Sequence, residues 1–265
     1  MKTVLVFSQS HLDFRISELA SICDVLSINV DISSINAKSH VFLVDFEAVE
    51  DVERLLSRSM LVKSAFEQIF HANSYEDLHN LVENEGKSVL EKYDHPELSY
   101  SLRVCSIGRK KKLSPEIRIK EFLDHFTLEK SPVDLKSPKN EFYLVEEYEN
   151  PTDEAPKKIY FGKLYNLQDR RYIGNTTMDP ELSFIQANIA QVMPGELVLD
   201  PFVGTGGLIL PAAHFGAFVL GTEINYQTAR ALGKTFPTRS FDEDRRRKYT
   251  GQFCAAKILR ANSSP

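Results

Sequence analysis

The run Asp200-Pro201-Phe202-Val203-Gly204-Thr205-Gly206-Gly207 joins an apolar, strand-like stretch, Glu196 to Leu199, to a helix-like stretch beginning near Leu208. A strand that ends in an acid and turns through closely spaced glycines brings bare backbone up to a ligand, and the unpaired N–H groups of a following helix face the same place. The chemistry this suits is the holding of a nucleotide-like cofactor. A second apolar run, Ala217 to Thr222, ends in Glu223, where a carboxylate can accept hydrogen bonds from two ribose hydroxyls. Together the two strand ends read as the first half of a nucleoside-binding, Rossmann-like fold. The chain ends 42 residues beyond Glu223, so the expectation is a partial fold of this kind. Taken singly, such a turn is also found as a structural joint and such an acid as a surface residue; the pair is what favours a ligand.

The elements that must position this turn follow from the surrounding pattern. Leu182, Ile185 and Ile189 share one face of a helix that opens after the loop Gly174-Asn175-Thr176-Thr177-Met178-Asp179-Pro180. Alternating strands and helices imply a parallel sheet with helices packed on it. The first half alternates short strand and helix signals without an internal repeat. Thr3 to Phe7 and Val41 to Phe46 are expected as strands, with a helix between them carrying Phe14, Ile16, Leu19, Ile22, Cys23 and Leu26. Leu61 to Phe70 is expected to be extended, and Ser74 with Asp77 resembles a capping box ahead of Leu78, Leu81 and Val82. Alternation from Tyr100 to Ser106 predicts a strand. Ser114-Pro115 predicts an N-cap and first helical position, with Ile119, Phe122, Leu123 and Phe126 on the apolar face. Glu141 to Tyr148 and Lys158 to Leu164 are again extended. Between them, Glu149 to Pro156 predicts a linker or domain edge that runs to about Asp169.

An apolar fraction of 42% over 265 residues is enough for a buried core. The apolar run at Met1 to Ser8 is too short for a signal segment, and Leu197 to Gly221 is too often interrupted to span a membrane. Cys23, Cys105 and Cys254 have no disulfide or zinc-site spacing, and His11 and His214 have no metal-ligand or nucleophile residue at useful sequence spacing and are expected to pack or hydrogen-bond, so no metal is expected. The net charge of −5 conceals one reversal. Between Ser101 and Lys120, seven basic side chains (Arg103, Arg109, Lys110, Lys111, Lys112, Arg118, Lys120) face the single acid Glu116. Such a window suits either a solvated loop or a polyanion, since phosphate contacts act locally.

The glycine turn departs from the GxGxxG spacing of nucleotide-dependent dehydrogenases and lies closer to AdoMet-dependent methyltransferases. The line from Gly174-Asn175-Thr176 and Met178-Asp179 through Leu182-Ser183-Phe184 and Ala187-Asn188 resembles the start of the catalytic domain in the tRNA guanine-10 N2-methyltransferase catalytic subunits, which carry a THUMP domain. Ala213-His214-Phe215-Gly216-Ala217 and Leu232-Gly233-Lys234 resemble the stretches on either side of that family's acidic residue. Weaker echoes run through the first half: His11, Phe14, Arg15, Glu18 and Leu19; Lys63, Ser64 and Phe66; Val133-Asp134-Leu135-Lys136 with Pro138; and Ile159-Tyr160-Phe161-Gly162. The resemblance covers Met1 to about Lys234.

It implies an α/β chain with an N-terminal α+β THUMP-containing, tRNA-binding region at 1–165, a partial Rossmann-like (class I) methyltransferase domain at 166–234, and a divergent, loose tail at 235–265. The activity implied is methyl transfer from S-adenosyl-L-methionine to the exocyclic amine of a tRNA guanine. Asp200, Phe202, Gly204, Thr205 and Gly206 would line the methionine end of that cofactor, Glu223 would hold the ribose, and Ile224 would lie beside the adenine. Arg109, Lys110, Lys111 and Lys112, on grounds of charge, and Lys136, within the THUMP-like segment, are the candidate tRNA contacts. The resemblance further implies a small zinc-binding methyltransferase activator protein as partner and a cytoplasmic location. Related enzymes aim the amine with an Asp/Asn-Pro-Pro-Tyr/Phe tetrapeptide, and no two prolines are adjacent in this sequence, so no catalytic residue is assigned. Whether the chain is itself an enzyme stays open. The alternative is a non-catalytic tRNA-binding protein or truncated isoform, and a DNA adenine methyltransferase relative is a more distant reading.

Overall fold

Strands form where apolar residues alternate and helices where they recur at three and four. A computed structural model describes residues 1–33, 35–36, 39–109, 114–126, 128–167, 179–225 and 257–258. In chain order these residues form β1 (Lys2–Phe7), α1 (Arg15–Leu26), β2 (Val41–Asp45), α2 (Val49–Arg58), β3 (Val62–Ala72), α3 (Tyr75–Leu90), β4 (Tyr100–Ile107), α4 (Pro115–Leu123), β5 (Asn140–Glu147), β6 (Lys158–Leu167), α5 (Pro180–Ile189), β7 (Leu197–Asp200), α6 (Ile209–His214), β8 (Phe218–Gly221) and β9 (Lys257–Ile258). They divide into two units that are each discontinuous in sequence. The first comprises Met1–Arg15, Asn29–Ser57 and Val62–Gln168; the second comprises Ile16–Ile28, Arg58–Leu61 and Asp169–Pro265.

In the first unit six strands form one sheet in the order β2-β1-β3-β6-β5-β4. All neighbours are antiparallel except β4 and β5, which run parallel with Tyr100 opposite Asn140 and Ile107 opposite Glu147. Successive residues of the inner strands bury on opposite faces. Phe142, Leu144, Ile159 and Phe161 join a core with Leu78, Val82, Phe122 and Phe126 from α3, α4 and the turn after α4. Val145 and Tyr160 join Val4, Val6, Val41 and Phe66 in another core. Rings dominate the first core: Phe122 and Phe161 lie 5.0 Å apart and Phe126 and Phe142 5.7 Å apart, within the range of favourable edge and offset contacts.

Residues 149–157 are not a linker. They join β5 to β6 within the sheet, and the Lys157 N–H donates to the Glu147 carbonyl at 2.7 Å. The reason is that Ile159, Tyr160 and Phe161 are all buried, on both faces, so β6 must lie between β3 and β5 whatever the polarity of the preceding turn. The Ser74 side chain caps α3 as expected, accepting from the Asp77 N–H at 3.1 Å, and its hydroxyl also donates to the Asp77 carboxylate at 2.7 Å. Ser114 occupies the N-cap position of α4 and Pro115 its first turn, but the serine side chain makes no capping bond. Helix α2 is missing from the expectations above, although Val52, Leu55 and Leu56 bury on one face of it and Glu50, Asp51 and Arg58 suit its dipole.

Arg15 is fully buried in this unit. Its guanidinium donates to the carbonyls of Ser39, at 2.8 Å, and Ser8, and to Nδ1 of His40 at 2.7 Å. Because arginine only donates, that nitrogen must carry a lone pair and the imidazole must be neutral. Burial, and then the Arg15 charge, hold the His40 pKa below its ordinary value, with Glu147 opposing.

The second unit is held from within by a buried carboxylate. Glu18 of α1 has no exposed surface, and it accepts from Ser59 Oγ at 3.0 Å, from the N–H groups of Met60 and Leu61 at 2.8 Å each, and from Asn188 Nδ2 at 2.7 Å. Asn188 in turn accepts from Arg58 Nε at 2.9 Å, and the Arg58 guanidinium lies 4.0 Å from the centroid of Phe215. Strands β7, β8 and β9 form a parallel sheet in that order. Val198 and Val219 face a core of Ala187, Val192, Val203, Ile209 and Ala212, while Leu197, Leu199 and Phe218 point the other way and are each more than 60% exposed.

Two outcomes are expected. Glu18→Ala strands four donors and should lower stability by about 3–5 kcal/mol in urea unfolding, the range for removing one member of a buried charged network; a loss under about 1 kcal/mol would show that water replaces the carboxylate. His40 has a folded pKa below its unfolded value, so its contribution is fully present above the unfolded value of about 6.5 and is lost as the pH falls through the folded one. The melting temperature should therefore drop between pH 7.5 and 5, and less steeply in His40→Gln, whose amide oxygen still accepts from Arg15.

Candidate functional site

Asp200 ends β7 and lies opposite Gly221, which ends β8, because the two strands pair in register from Leu197 with Phe218 onward. The parallel pairing brings the turn 201–207 and the segment after β8 to the same end of the sheet. Backbone bonds then stitch the two together: the Thr222 N–H donates to the Asp200 carbonyl at 3.0 Å, and the Val203 N–H to the Thr222 carbonyl at 2.9 Å. The Thr222 hydroxyl adds a short bond to the Pro201 carbonyl.

Glycine is required here for two separate reasons. Gly204 and Gly206 adopt φ of 53° and 88°, in the left-handed region that side chains disfavour. Gly221 is conventional in backbone but has no space, since a Cβ there would sit 2.7 Å from Val203 Cβ and Cγ2. Val203 is thereby seated in the core beneath the turn, which fixes the path of the turn above it.

Two carboxylates close the site. Asp200 Oδ1 accepts from the Phe202 N–H at 2.9 Å, and Oδ2 is buried without a hydrogen-bond partner among the described residues. A buried acceptor left open is costly unless something donates to it. Glu223 Oε2 accepts from the Gly204 N–H at 2.9 Å and Oε1 from the Asn225 N–H at 2.7 Å, so this side chain bridges the glycine turn and the end of β8. Phe202 and Ile224 flank the cradle at 88% and 98% exposure. Five of the seven expected cofactor residues, Asp200, Phe202, Gly204, Thr205 and Gly206, thus lie on one turn, and Glu223 with Ile224 lies beside it. Helix α6 starts at Ile209, close to the expected position, but has only six residues; the donors at the site belong to the turn.

The basic candidates are not brought together. Arg109 follows the C-terminal end of β4, where its guanidinium lies 5.1 Å from the centroid of Tyr148 and donates to the Glu154 carbonyl at 3.3 Å. Lys136 is exposed in the loop ahead of β5, where its backbone N–H donates to Asp134 at 2.9 Å. That bond and one from the Ser137 N–H lower the Asp134 pKa. Since β4 and β5 are parallel over their full lengths, Arg109 and Lys136 lie at opposite ends of the pair, roughly 20–25 Å apart at the rise of a strand. Lys110, Lys111 and Lys112 lie outside the described residues, as do 168–178, 226–256 and 259–265.

The sequence reading missed a cluster in the same unit. Glu146 of β5, 1% exposed, accepts from Tyr75 Oη at 2.6 Å, Ser106 Oγ at 2.5 Å and Tyr148 Oη at 3.2 Å. No local spacing marks it, because its partners come from α3, from β4 and from just beyond the end of β5.

The family model for the Tmrp11 THUMP N-terminal domain matches residues 1–170. The chain is similar to the tRNA (guanine(10)-N(2))-methyltransferase TRMT11 of Rattus norvegicus, 34% identical over 248 residues that cover 87% of this chain and 53% of that protein. It spans about half the length of the curated relatives it matches. Among solved structures, TrmN from Thermus thermophilus matches with a TM-score of 0.55 at 19% identity, covering 99% of this chain and 74% of that one. The SAH complex of SMU.472 matches with a TM-score of 0.51 at 8% identity, covering 98% and 75%. At these identities the two likenesses show the fold, that of an α/β protein.

Gly221→Ala should destabilise the second unit by about 1–3 kcal/mol, as forced overpacking does, and shift its thermal transition downward. An unchanged transition would mean that Val203 is free to move and that the turn is not fixed from below.

Proposed function

The chain belongs to the Tmrp11 THUMP N-terminal domain family, and from that premise we propose that it carries the tRNA-binding region and the cofactor-binding half of a tRNA guanine-10 N2-methyltransferase. The observation that carries the reading is the open acceptor of Asp200. It sits at the end of a parallel strand, beside a glycine turn and a second carboxylate on the neighbouring strand end, in a chain whose relatives are named for this reaction.

The residues present fit S-adenosyl-L-methionine. Asp200 Oδ2 offers an unfilled acceptor to the ammonium of its methionine end, and Gly204 and Gly206 leave room for close approach of the turn. Glu223 uses one lone pair on each oxygen for a backbone N–H, and carboxylate oxygens retain further acceptor capacity for ribose hydroxyls. Phe202 and Ile224 present apolar surface to the rest of the molecule. When bound, this cofactor supplies an electrophilic methyl group. Thr205 completes the turn. The SAH bound in the SMU.472 structure is the demethylated form of the same molecule, which supports this assignment.

On the tRNA side, the region 1–165 is proposed to hold duplex RNA by shape and phosphates, with Arg109, Lys110, Lys111, Lys112 and Lys136 as basic contacts on more than one surface. An exocyclic amine is reached only when the base leaves its stack. No residue of this chain is assigned to aim that amine. The region 166–234 is taken as the cofactor part and 235–265 as a divergent tail. A small zinc-binding activator protein as partner and a cytoplasmic site of action belong to the same reading. Among the described residues no helix is long and apolar enough to cross a membrane.

Isothermal calorimetry on the 265-residue chain tests the cradle. AdoMet should bind, and Asp200→Ala and Glu223→Ala should each weaken it by about tenfold or more, the scale of a charge-assisted hydrogen bond. Equal binding by Asp200→Ala, or none by the folded wild-type chain, would overturn the cofactor assignment.

A further inference from the structure

Two arginines of the first unit are built on one carboxylate. The Arg118 guanidinium lies 4.6 Å from the centroid of Tyr75, and that of Arg109 lies 5.1 Å from the centroid of Tyr148. Both tyrosine hydroxyls donate to Glu146, at 2.6 and 3.2 Å. Arg118 Nε approaches the same carboxylate at 3.9 Å, while the Glu146 side chain is 2% exposed and that of Arg118 28% exposed. Burial raises the pKa of both phenols and Glu146 adds to it, against the lowering by Arg118 at Tyr75 and by Arg109 at Tyr148, so they remain protonated donors throughout the physiological range.

We propose that Arg109 and Arg118 form a phosphate-binding pair for an RNA backbone, and that Glu146 is the positioning residue that sets both guanidiniums through the tyrosine rings. This rests on the tRNA reading above. Three features point to it. A guanidinium over a ring has five N–H donors and a planar fork that matches phosphate, and the only bonds of Arg109 and Arg118 to the protein among the described residues that exceed ring contact are long, at 3.3 Å or more, or run to a tyrosine side chain. Arg109 is held by the Tyr148 ring, by a hydrogen bond to that tyrosine's side chain and by the Glu154 carbonyl at 3.3 Å, while its buried Nε has no hydrogen-bond partner among the described residues. Arg118 is only loosely committed to acids, at 3.9 Å from Glu146 and 3.5 Å from Glu121. A buried carboxylate is a poor way to add stability, and apolar side chains would close the same junction as well or better. What it adds is direction: one acceptor fixes the rings from α3 and from the end of β5, and with them the planes of two cations. Phosphate is the ligand such a pair suits, without preference for base sequence.

The test is fluorescence anisotropy of a labelled tRNA transcript titrated with the 265-residue chain at several KCl concentrations. Arg109→Ala and Arg118→Ala should each weaken binding roughly tenfold and flatten the plot of log K against log salt by about 0.7–0.9 per lost contact. Glu146→Gln decides the positioning role by its sign. Removing a negative charge near RNA should tighten binding if charge alone matters, whereas disordering the two guanidiniums should weaken it several-fold. Tyr75→Phe, which keeps the ring and loses the donor, should weaken binding in the same direction and covers the case in which Glu146→Gln does not fold by circular dichroism. If the wild-type chain binds tRNA while Arg118→Ala keeps the same affinity and salt slope, or Glu146→Gln or Tyr75→Phe binds equally or better, the inference is wrong. If the wild-type chain itself binds no tRNA, the broader reading fails and takes this one with it.

Discussion

A carboxylate without exposed surface has to find its donors inside the protein, and Glu18 imposes that requirement on the second unit. An ionised group in a low-dielectric interior is tolerated only when its lone pairs are filled. Glu18 takes one hydroxyl, two backbone N–H groups and one amide, from residues 59–61 and from Asn188. The unit therefore cannot be assembled from the C-terminal part of the chain alone. It includes Ile16–Ile28 and Arg58–Leu61, and the buried network supplies a physical reason why. Asn188, placed by α5, relays the constraint to Arg58, whose guanidinium also packs on Phe215 next to α6.

The candidate cradle depends on that assembly through its core. Ala187, Val192, Ile209 and Ala212 support one face of β7 and β8, and Val203 fills the space that Gly221 leaves. With the strands held in parallel register, an acid at the end of each falls at the same edge of the sheet. Asp200 and Glu223 are then used differently. Glu223 is committed to two backbone donors, and Asp200 keeps one oxygen open. An unfilled buried acceptor beside a glycine turn is the kind of local imbalance that a ligand corrects.

Glu146 in the first unit shows a related use of burial with a different result. Glu18 closes a junction with donors that face inward, whereas two of the three hydroxyl partners of Glu146, Tyr75 and Tyr148, belong to rings that carry partly exposed arginines. The same physics, a buried charge that organises its donors, serves packing in one unit and presentation of charge in the other.

Much of this was legible in the sequence because it is encoded by near neighbours. Apolar period placed β1, β2, β4, α3, α4, α5, β7 and β8, and the acid, glycines and second acid marked the cradle, since turn chemistry and strand ends are properties of a few adjacent residues. What only the tertiary structure decided involves distant partners. The parallel pairing of β4 with β5 sends Arg109 and Lys136 to opposite ends, although both carry the same charge and read as one kind of contact. Burial of β6 on both faces turns a proline-containing stretch into a connection within the sheet. Glu18 meets Asn188 across 170 positions of sequence, and Tyr75 meets Glu146 across 71. A glutamate in a helix or strand reads locally as a solvated surface charge. Whether it is instead buried, and which donors then gather around it, is fixed by the packing of elements whose order in space the local pattern does not contain.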